Sequence, residues 1–247
     1  MVSDDRQPVV LEAGDGALVV EFGDDVDAAV NARVVALDAA VAAARLQGVM
    51  ETVPTYRSLL VHYDPLAIAP DRLKELLLAL AEGAGAGTAK PRRWRVPVCY
   101  GGAHGVDLEA VAARHGLTPE AVVAAHSGAE YRVYMIGFAP GFIYLGGLPE
   151  ILHTDRRHDP RMKTPARSVS IGGRQAGISP PIEMPSGWHL LGRTPVRTWD
   201  AARTSDPFLF QPGDVIRFHP VDEAVYDEMC RAADAGEPIA TREAVDG

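Results

Sequence analysis

Apolar residues recur with two periods along the first ninety positions. Residues 17–22 form an apolar, β-branched run, and after Asp24 and Asp25, which read as helix caps, Val26, Val30, Val34, Leu37 and Val41 fall at helical spacing up to Gly48. Two short strands, 49–53 and 58–63, flank a turn containing Pro54, and Pro70 opens a helix whose Leu73, Leu76, Leu77 and Leu80 share one face. The order βαββα predicts helices packed on one face of a small sheet.

Gly83-Ala-Gly-Ala-Gly87-Thr-Ala-Lys90-Pro91 then interrupts all periodicity and reads as a linker, because alternating glycines cannot hold a core. It follows a helix and lacks the GxxxxGK[ST] spacing, which argues against a phosphate loop. Beyond it lie a strand at 94–100 and two short helices at 108–115 and 119–126, the second capped by Thr118 with Pro119 in its first turn. From Tyr131 the pattern becomes short apolar runs (131–138, 168–171, 189–191, 215–218) cut by turns, with eleven of the 19 prolines between Pro140 and Pro220. Such punctuation predicts a β-barrel or sandwich. A helix over 223–235 and a fraying last ten residues complete the reading. The expected organisation is α+β: a small α/β domain at 1–90, a β-domain at 91–221 and an acidic extension at 222–247.

Composition narrows the functions available. With 47% hydrophobic and 23% charged residues the 247-residue chain is globular, and its net charge of −9 opposes nucleic-acid backbone binding. No apolar run approaches a membrane span, and the opening residues lack the pattern of a secretory signal, so a cytoplasmic location is expected. Cys99 and Cys230 offer no disulfide framework, and Cys99 reads as a packed thiol. The charge is uneven: residues from 221 onward carry eight acids against two arginines, whereas residues 151–175 carry six basic residues against Asp155 and Asp159. That basic segment fits either an anionic ligand or partner, or ion pairing with the acidic tail.

The densest chemical signal is Gly137-Phe138-Ala-Pro140-Gly141-Phe142-Ile-Tyr144, where glycines let the backbone approach a ligand and aromatics form an apolar wall; a tight barrel corner would need the same residues. Arg161 to Ile178, including Arg167, Arg174 and Gln175, surrounds a Ser/Gly-rich turn with guanidinium donors, and Gly187-Trp188-His189 to Arg193 adds an aromatic, an imidazole and another guanidinium. His126 and His189 are the histidines nearest these loops. His153 and His158 with Asp155 and Asp159 are poorly spaced for zinc, so no metal site is expected. There is no GxSxG or HExxH motif. The sequence therefore offers ligand-shaped loops without a self-sufficient catalytic set.

These loops resemble the family that contains the B subunit of 5-oxoprolinase, the first subunit of allophanate hydrolase and the homologous sporulation-kinase inhibitor. The resemblance rests on Val96-Pro-Val-Cys-Tyr100-Gly-Gly, Tyr131 through Phe142, Leu145-Gly-Gly147, Pro165 through Ile178, Gly187-Trp188 to Arg193-Thr-Pro195 and Pro212-Gly-Asp214. It implies a cyclophilin-like β-barrel after the small N-terminal domain. It also implies a heteromer with a second cyclophilin-like barrel subunit, of the type of the C subunit of 5-oxoprolinase or the second subunit of allophanate hydrolase. The implied activity is that of an ATP-dependent amidohydrolase, inactive as a lone chain, for a small anionic amide such as 5-oxoproline or allophanate. ATP, with Mg, would be held in this chain or in the partner.

Under that reading Arg161, Arg167 and Arg193 would stabilise phosphate and developing negative charge, and His126 or His189 would carry protons. Phe138, Pro140, Gly141, Phe142, Tyr144, Gln175, Gly187 and Trp188 would contact substrate. The alternative is a binding module that inhibits a histidine kinase or another signalling partner; a prolyl isomerase rests on fold alone. Five positions depart from the usual family pattern: Arg167 and Ser170 replace glycines, Ala176 replaces a threonine, Ser179 a tyrosine and His189 a glutamine. Arg167, Ala176, Ser179 and His189 are expected in or beside the groove, with Arg167 the most consequential if its backbone needs a positive φ.

Overall fold

The computed structural model describes residues 7–84 and 91–243, which gather into two compact units divided between Lys90 and Pro91. Of the glycine-rich linker, residues 85–90 lie outside the described residues.

The first unit runs β1 (Val9–Glu12), β2 (Ala17–Glu21), α1 (Ala28–Ala44), β3 (Val49–Pro54), β4 (Ser58–Tyr63) and α2 (Pro70–Gly83). Its sheet has the order β1-β2-β4-β3, with every neighbouring pair antiparallel. Strand alternation turns Leu18, Val20, Leu59, Val61 and Tyr63 toward Val30, Val34, Leu37 and Val41 of α1 and Leu73 and Leu77 of α2. The α1 cap is Asp27, whose carboxylate accepts from the Ala29 and Val30 amides at 2.7 and 3.2 Å. The expected caps lie just outside the helix, and Asp24 instead meets the Arg57 guanidinium at 3.3 Å. Strand β1 is absent from the sequence-based expectation: its four residues, three of them exposed, carry no clear alternation.

The second unit runs β5 (Arg93–Tyr100), α3 (Leu108–His115), α4 (Pro119–Ser127), β6 (Glu130–Ile136), β7 (Ile143–Gly146), a 3-10 turn (Glu150–Leu152), β8 (Arg161–Thr164), β9 (Ser168–Gly172), β10 (Gln175–Ile178), β11 (Met184–Ser186), β12 (His189–Arg193), β13 (Val215–Pro220), α5 (Glu223–Asp234) and β14 (Thr241–Arg242). Seven strands in the order β12-β9-β10-β7-β6-β13-β5 close into a barrel when β12 returns to β5, through Gly192 opposite Tyr100 and Arg193 opposite Cys99. Val96, Val98, Tyr131, Val133, Ile143, Leu145, Val169, Ile171, Leu191, Ile216 and Phe218 belong to one buried core with Leu108, Val111 and Val122 of the two helices. The fold is thus α+β, with a barrel in the second unit. Strands β8 and β11 form a separate two-stranded ribbon.

Residues 222–243 are integrated into this unit. Asp222 caps α5 by accepting from the Val225 amide at 2.8 Å, and Tyr226 and Ala233 are buried beneath it. The expectation that the last ten residues fray is corrected at Thr241 and Arg242, which pair with Arg95 and Trp94 of β5; residues 244–247 lie outside the described residues.

Candidate functional site

The β6–β7 hairpin carries the GFAPGF segment. Its turn is closed by the Gly137 amide donating to the Phe142 carbonyl at 3.2 Å and the Phe142 amide donating to the Ala139 carbonyl at 3.0 Å. Gly141 has φ +83°, and a Cβ there would come within 2.4 Å of the Trp199 Cβ, so the turn tip packs where no side chain fits. Phe138 holds a left-handed φ of +67° and is 70% exposed, while Phe142 points back and is buried.

Behind the hairpin an aromatic wall assembles. Phe142 lies 4.7 Å from Tyr144 and 5.8 Å from Trp188 between ring centroids, and Tyr144 lies 6.0 Å from Trp188, all in edge-on arrangements. Phe138 stands at the rim, 6.2 Å from Phe142, and Met184 with half-buried Ala139 completes the cluster. The Trp188 indole rests on backbone: a Cβ at Gly172 would sit 2.8 Å from its Cγ. Arg156 caps the outer face, its Cζ 5.7 Å from the indole centroid. Burial pushes the Tyr144 phenol up, against the opposing pull of the Arg156 charge.

The structure brings Phe138, Phe142, Tyr144 and Trp188 together, with Pro140 and Gly141 in the hairpin tip. Gln175 begins β10 opposite Gly172, and the Gly187 carbonyl accepts from the Arg157 amide at 2.7 Å. His189 stands beside the wall, its Nε2–H donating to the Asp155 carbonyl at 2.9 Å.

The remaining expected residues lie elsewhere. His126 is a core residue: it is fully buried, stacks on Phe218 at 4.8 Å, and shares a 2.7 Å hydrogen bond between Nδ1 and the Tyr100 hydroxyl. Burial pushes its imidazole down to about 3, so it stays neutral at ordinary pH and does not reach the loops. The Arg161 guanidinium is fork-bound to buried Asp107 at 2.6 and 2.9 Å. Arg157 reaches the same carboxylate at 3.4 Å, and the Leu190 amide donates to it at 2.8 Å. Burial raises the Asp107 carboxyl, but those hydrogen bonds and the charges of Arg161 and Arg157 outweigh it and hold the group below the usual carboxylate range.

Arg167 and Arg193 lie at the other end of β12 from His189, about 13 Å away along a strand rising ~3.3 Å per residue, so no one small ligand meets all three. Arg167 donates to the Pro195 carbonyl at 3.1 Å and faces Asp234 of α5 at 3.8 Å. Arg193 donates to the Ala166 carbonyl at 3.1 Å. Each of the three arginines expected to stabilise phosphate thus has an internal partner: Arg161 through its fork to Asp107, Arg167 and Arg193 through single bonds to carbonyls. The two readings of the basic segment also resolve residue by residue, since Arg167 meets the acidic tail whereas Arg157 and Arg161 meet Asp107.

Among the departures from the family pattern, Arg167 does occupy a positive-φ position, at +62°. Ala176 belongs to the barrel core, and Ser179, just beyond β10, is buried. Cys99 is buried, and its thiol is pushed up by burial and then by Glu223, Asp222 and Asp227, as a packed thiol would be. Among the described residues no three His, Cys, Asp or Glu side chains gather as a metal site, and no helix is long and apolar enough to cross a membrane. A cavity of about 60 Å³ lies apart from the wall, between residues such as Arg197, Arg203, Leu209, Glu237 and Ile239.

Two residues of this region escape sequence reasoning. Asp107 sits in a glycine-rich loop with no local signal, because its partners come from positions 157, 161 and 190. Arg156 belongs to the basic segment, but nothing in the sequence separates it from the neighbouring arginines.

Comparison with known proteins places the same segments in a common frame. Residues 8–210 match the carboxyltransferase domain, subdomain C and D. The chain is 36% identical over 231 residues to the B subunit of 5-oxoprolinase from Bacillus subtilis, covering 88% of this chain and 94% of that one. It is 44% identical over 181 residues to the corresponding 5-oxoprolinase protein of Escherichia coli O157:H7, covering 73% and 82%. The crystal structure of TTHA0988 superposes with a TM-score of 0.75 at 38% identity, over 83% of this chain but only 40% of that longer one. With the hairpin, the glycine floor and the Trp188 strand all inside the matched span, the chain belongs to the carboxyltransferase domain family, subdomains C and D.

Proposed function

We propose that this chain is one component of a heteromeric, ATP-dependent amidohydrolase acting on a small anionic amide, with 5-oxoproline the first candidate and allophanate the second. The observation that carries this reading is the correspondence with the 5-oxoprolinase relatives over most of both chains. The chemistry of the wall supports it. Exposed Phe138 and half-buried Tyr144 offer apolar surface at the rim, over a buried Trp188 and Phe142, yet His126 is sealed in the core and His189 is committed to a carbonyl. Such a surface binds and orients substrate but supplies no proton-transfer pair of its own, which fits half of a site completed by a second barrel subunit.

Under this reading the nucleotide is held in this chain or by the partner, and the closed fork of Arg161 on Asp107 favours the partner. ATP would transfer a phosphoryl group to the amide oxygen, giving ADP and an activated carbon that water attacks. The C–N bond then breaks, the nitrogen takes a proton, and hydrolysis of the resulting acyl phosphate releases phosphate, while this chain's contribution is to bind and orient the amide. The test is ATP hydrolysis by the chain alone and co-expressed with its genomic neighbours, with 5-oxoproline, allophanate or neither. Substrate-stimulated turnover only in the co-expressed sample is expected. Failure to form any complex would replace the enzyme component with a binding module directed at a signalling protein.

A further inference from the structure

The cavity of about 60 Å³ lies between the end of α5 and the segment that follows β12. Its floor is apolar: Val196 and Ala233 are buried, and Leu209 and Ile239 are half-buried. Its rim carries charges of both signs, from exposed Arg197, Arg203 and Glu237 and half-buried Asp200. On a scale where one water needs about 10–15 Å³, such a volume has room for about four to six waters. That excludes a nucleotide and admits a small polar molecule with a short hydrocarbon part.

The rim charges do not neutralise one another. Arg197 faces Asp234 at 3.6 Å, a carboxylate it shares with Arg167. Asp200 accepts from the Ala202 amide through Oδ1 at 3.0 Å, which leaves Oδ2 available. Among the described residues neither Arg203 nor Glu237 forms an ion pair. Helix α5 closes with the Gly236 amide donating to the Ala233 carbonyl at 3.1 Å and the Glu237 amide to the Ala232 carbonyl at 3.0 Å, so its C-terminal end, with a partial negative charge, belongs to the lining. A purely anionic guest would meet Asp200 and Glu237 uncompensated, and a purely cationic one would meet two guanidiniums. A guest with both signs satisfies all of them.

The segment that walls the cavity also reaches the GFAPGF turn. The Leu209 amide donates to the Thr198 carbonyl at 3.0 Å and the Asp200 amide to the Pro207 carbonyl at 2.9 Å, closing a hairpin. Leu209, Asp200 and Arg203 of this hairpin line the cavity, while its Thr198 and Trp199 pack on Gly141, where a Cβ would fall 2.9 Å from the Thr198 Oγ1 and 2.4 Å from the Trp199 Cβ.

We propose that this cavity binds a zwitterionic α-amino acid. Asp200, Glu237 and the end of α5 take its ammonium, Arg197 and Arg203 take carboxylate, and its methylenes rest on Val196, Leu209 and Ile239. The choice of glutamate among amino acids rests on the amidohydrolase reading. Hydrolysis of the lactam C–N bond of 5-oxoproline adds one water and gives glutamate, with a second carboxylate and an ammonium that the substrate lacks. The cavity therefore tells product from substrate, and its occupancy is felt at the Gly141 turn through the shared hairpin.

The experiment is an amide NMR titration of the full chain with glutamate, with glutarate, which lacks the ammonium, and with 5-oxoproline. Glutamate should shift the amides of Leu209, Gly236 and Glu237 saturably, and that of Gly141 with them. Glutarate and 5-oxoproline should bind at those residues about fivefold or more weakly, and Arg203→Gln and Glu237→Gln, both at exposed positions, should each weaken glutamate by about fivefold. No saturable shift at those residues, equal binding of glutarate, or parent-like affinity in both variants overturns the site. Glutamate binding in a chain whose co-expressed complex hydrolyses neither amide keeps the site and removes its role toward product. Turnover of 5-oxoproline without glutamate binding here keeps the amidohydrolase reading and removes the site.

Discussion

The Trp188 indole lies directly on the backbone of Gly172, where an added Cβ would meet its Cγ at 2.8 Å and its Cδ1 and Cδ2 at 2.9 Å. Neighbouring Gly177 makes the floor under the far edge of the ring, 3.0 Å from Cζ3 by the same measure. The wall is therefore built by the absence of side chains as much as by the presence of aromatics. Gly172→Ala should lift the indole away from Phe142 and Tyr144, cost about 1–3 kcal/mol by overpacking, and weaken substrate binding. Near-UV circular dichroism and urea unfolding measure both effects; an unchanged aromatic signal would show that the floor does not set the indole.

Arg167 holds a left-handed backbone at a position where the family commonly carries glycine. Arg167→Ala and Arg167→Gly both lose the bond to the Pro195 carbonyl, but only glycine relieves the strain, which is about 1–2 kcal/mol for a residue with a Cβ. Arg167→Gly should accordingly be more stable than Arg167→Ala by about 1 kcal/mol in urea titrations.

Much of this is legible in the sequence wherever spacing carries the information. Val122 and His126 stand four residues apart and are both buried on the inner face of α4, so the helical period that locates the helix also implies a core histidine; proximity to the loops along the chain is the misleading cue. The aromatic wall is legible because its rings and glycines cluster within short motifs. Strand β10, reading Gln-Ala-Gly-Ile, has no alternation to detect, and β14 has two residues. Asp107 and Arg156 acquire meaning only from partners distant in the chain.

His126 should give the protein a defined acid sensitivity. Its folded-state pKa is depressed to about 3, whereas the unfolded chain protonates near 6.5. Below pH 6.5 the unfolded state binds a proton that the folded state refuses, so this group's stability contribution is complete above about 6.5 and erodes as pH falls toward 3, by at most about 1.4 kcal/mol per unit. His126→Gln should shrink the difference between urea midpoints at pH 7 and pH 5. An unchanged difference would locate the acid sensitivity elsewhere.

Asp107 ties the glycine-rich loop to β8, to β12 and to the segment bearing Arg156. Asp107→Ala leaves two part-buried guanidiniums without their anion and the Leu190 amide without an acceptor, a change expected to cost about 3 kcal/mol or more. Asp107→Asn, which keeps the shape, should cost less and still quicken amide exchange at Arg157. Equal stability of parent and Asp107→Ala would refute the role of this carboxylate as a clamp.

The seam of the barrel has a consequence for how the chain reaches this state. Strand β5 has β13 along one side, parallel to it with Val215 opposite Arg93. On its other side β12 covers only Cys99 and Tyr100, and β14 covers Arg95 and Trp94. All three neighbours follow β5 at long sequence separation. During synthesis β5 emerges with none of them available, and an unpaired strand rich in valine is prone to pair with other chains. The first unit, whose strands meet near neighbours in sequence, can fold early, whereas the barrel must wait and then close long loops, the slow step that high contact order imposes. Refolding should therefore show a fast phase from the first unit and a slower one from the barrel, the slower phase yielding to aggregation as protein concentration rises.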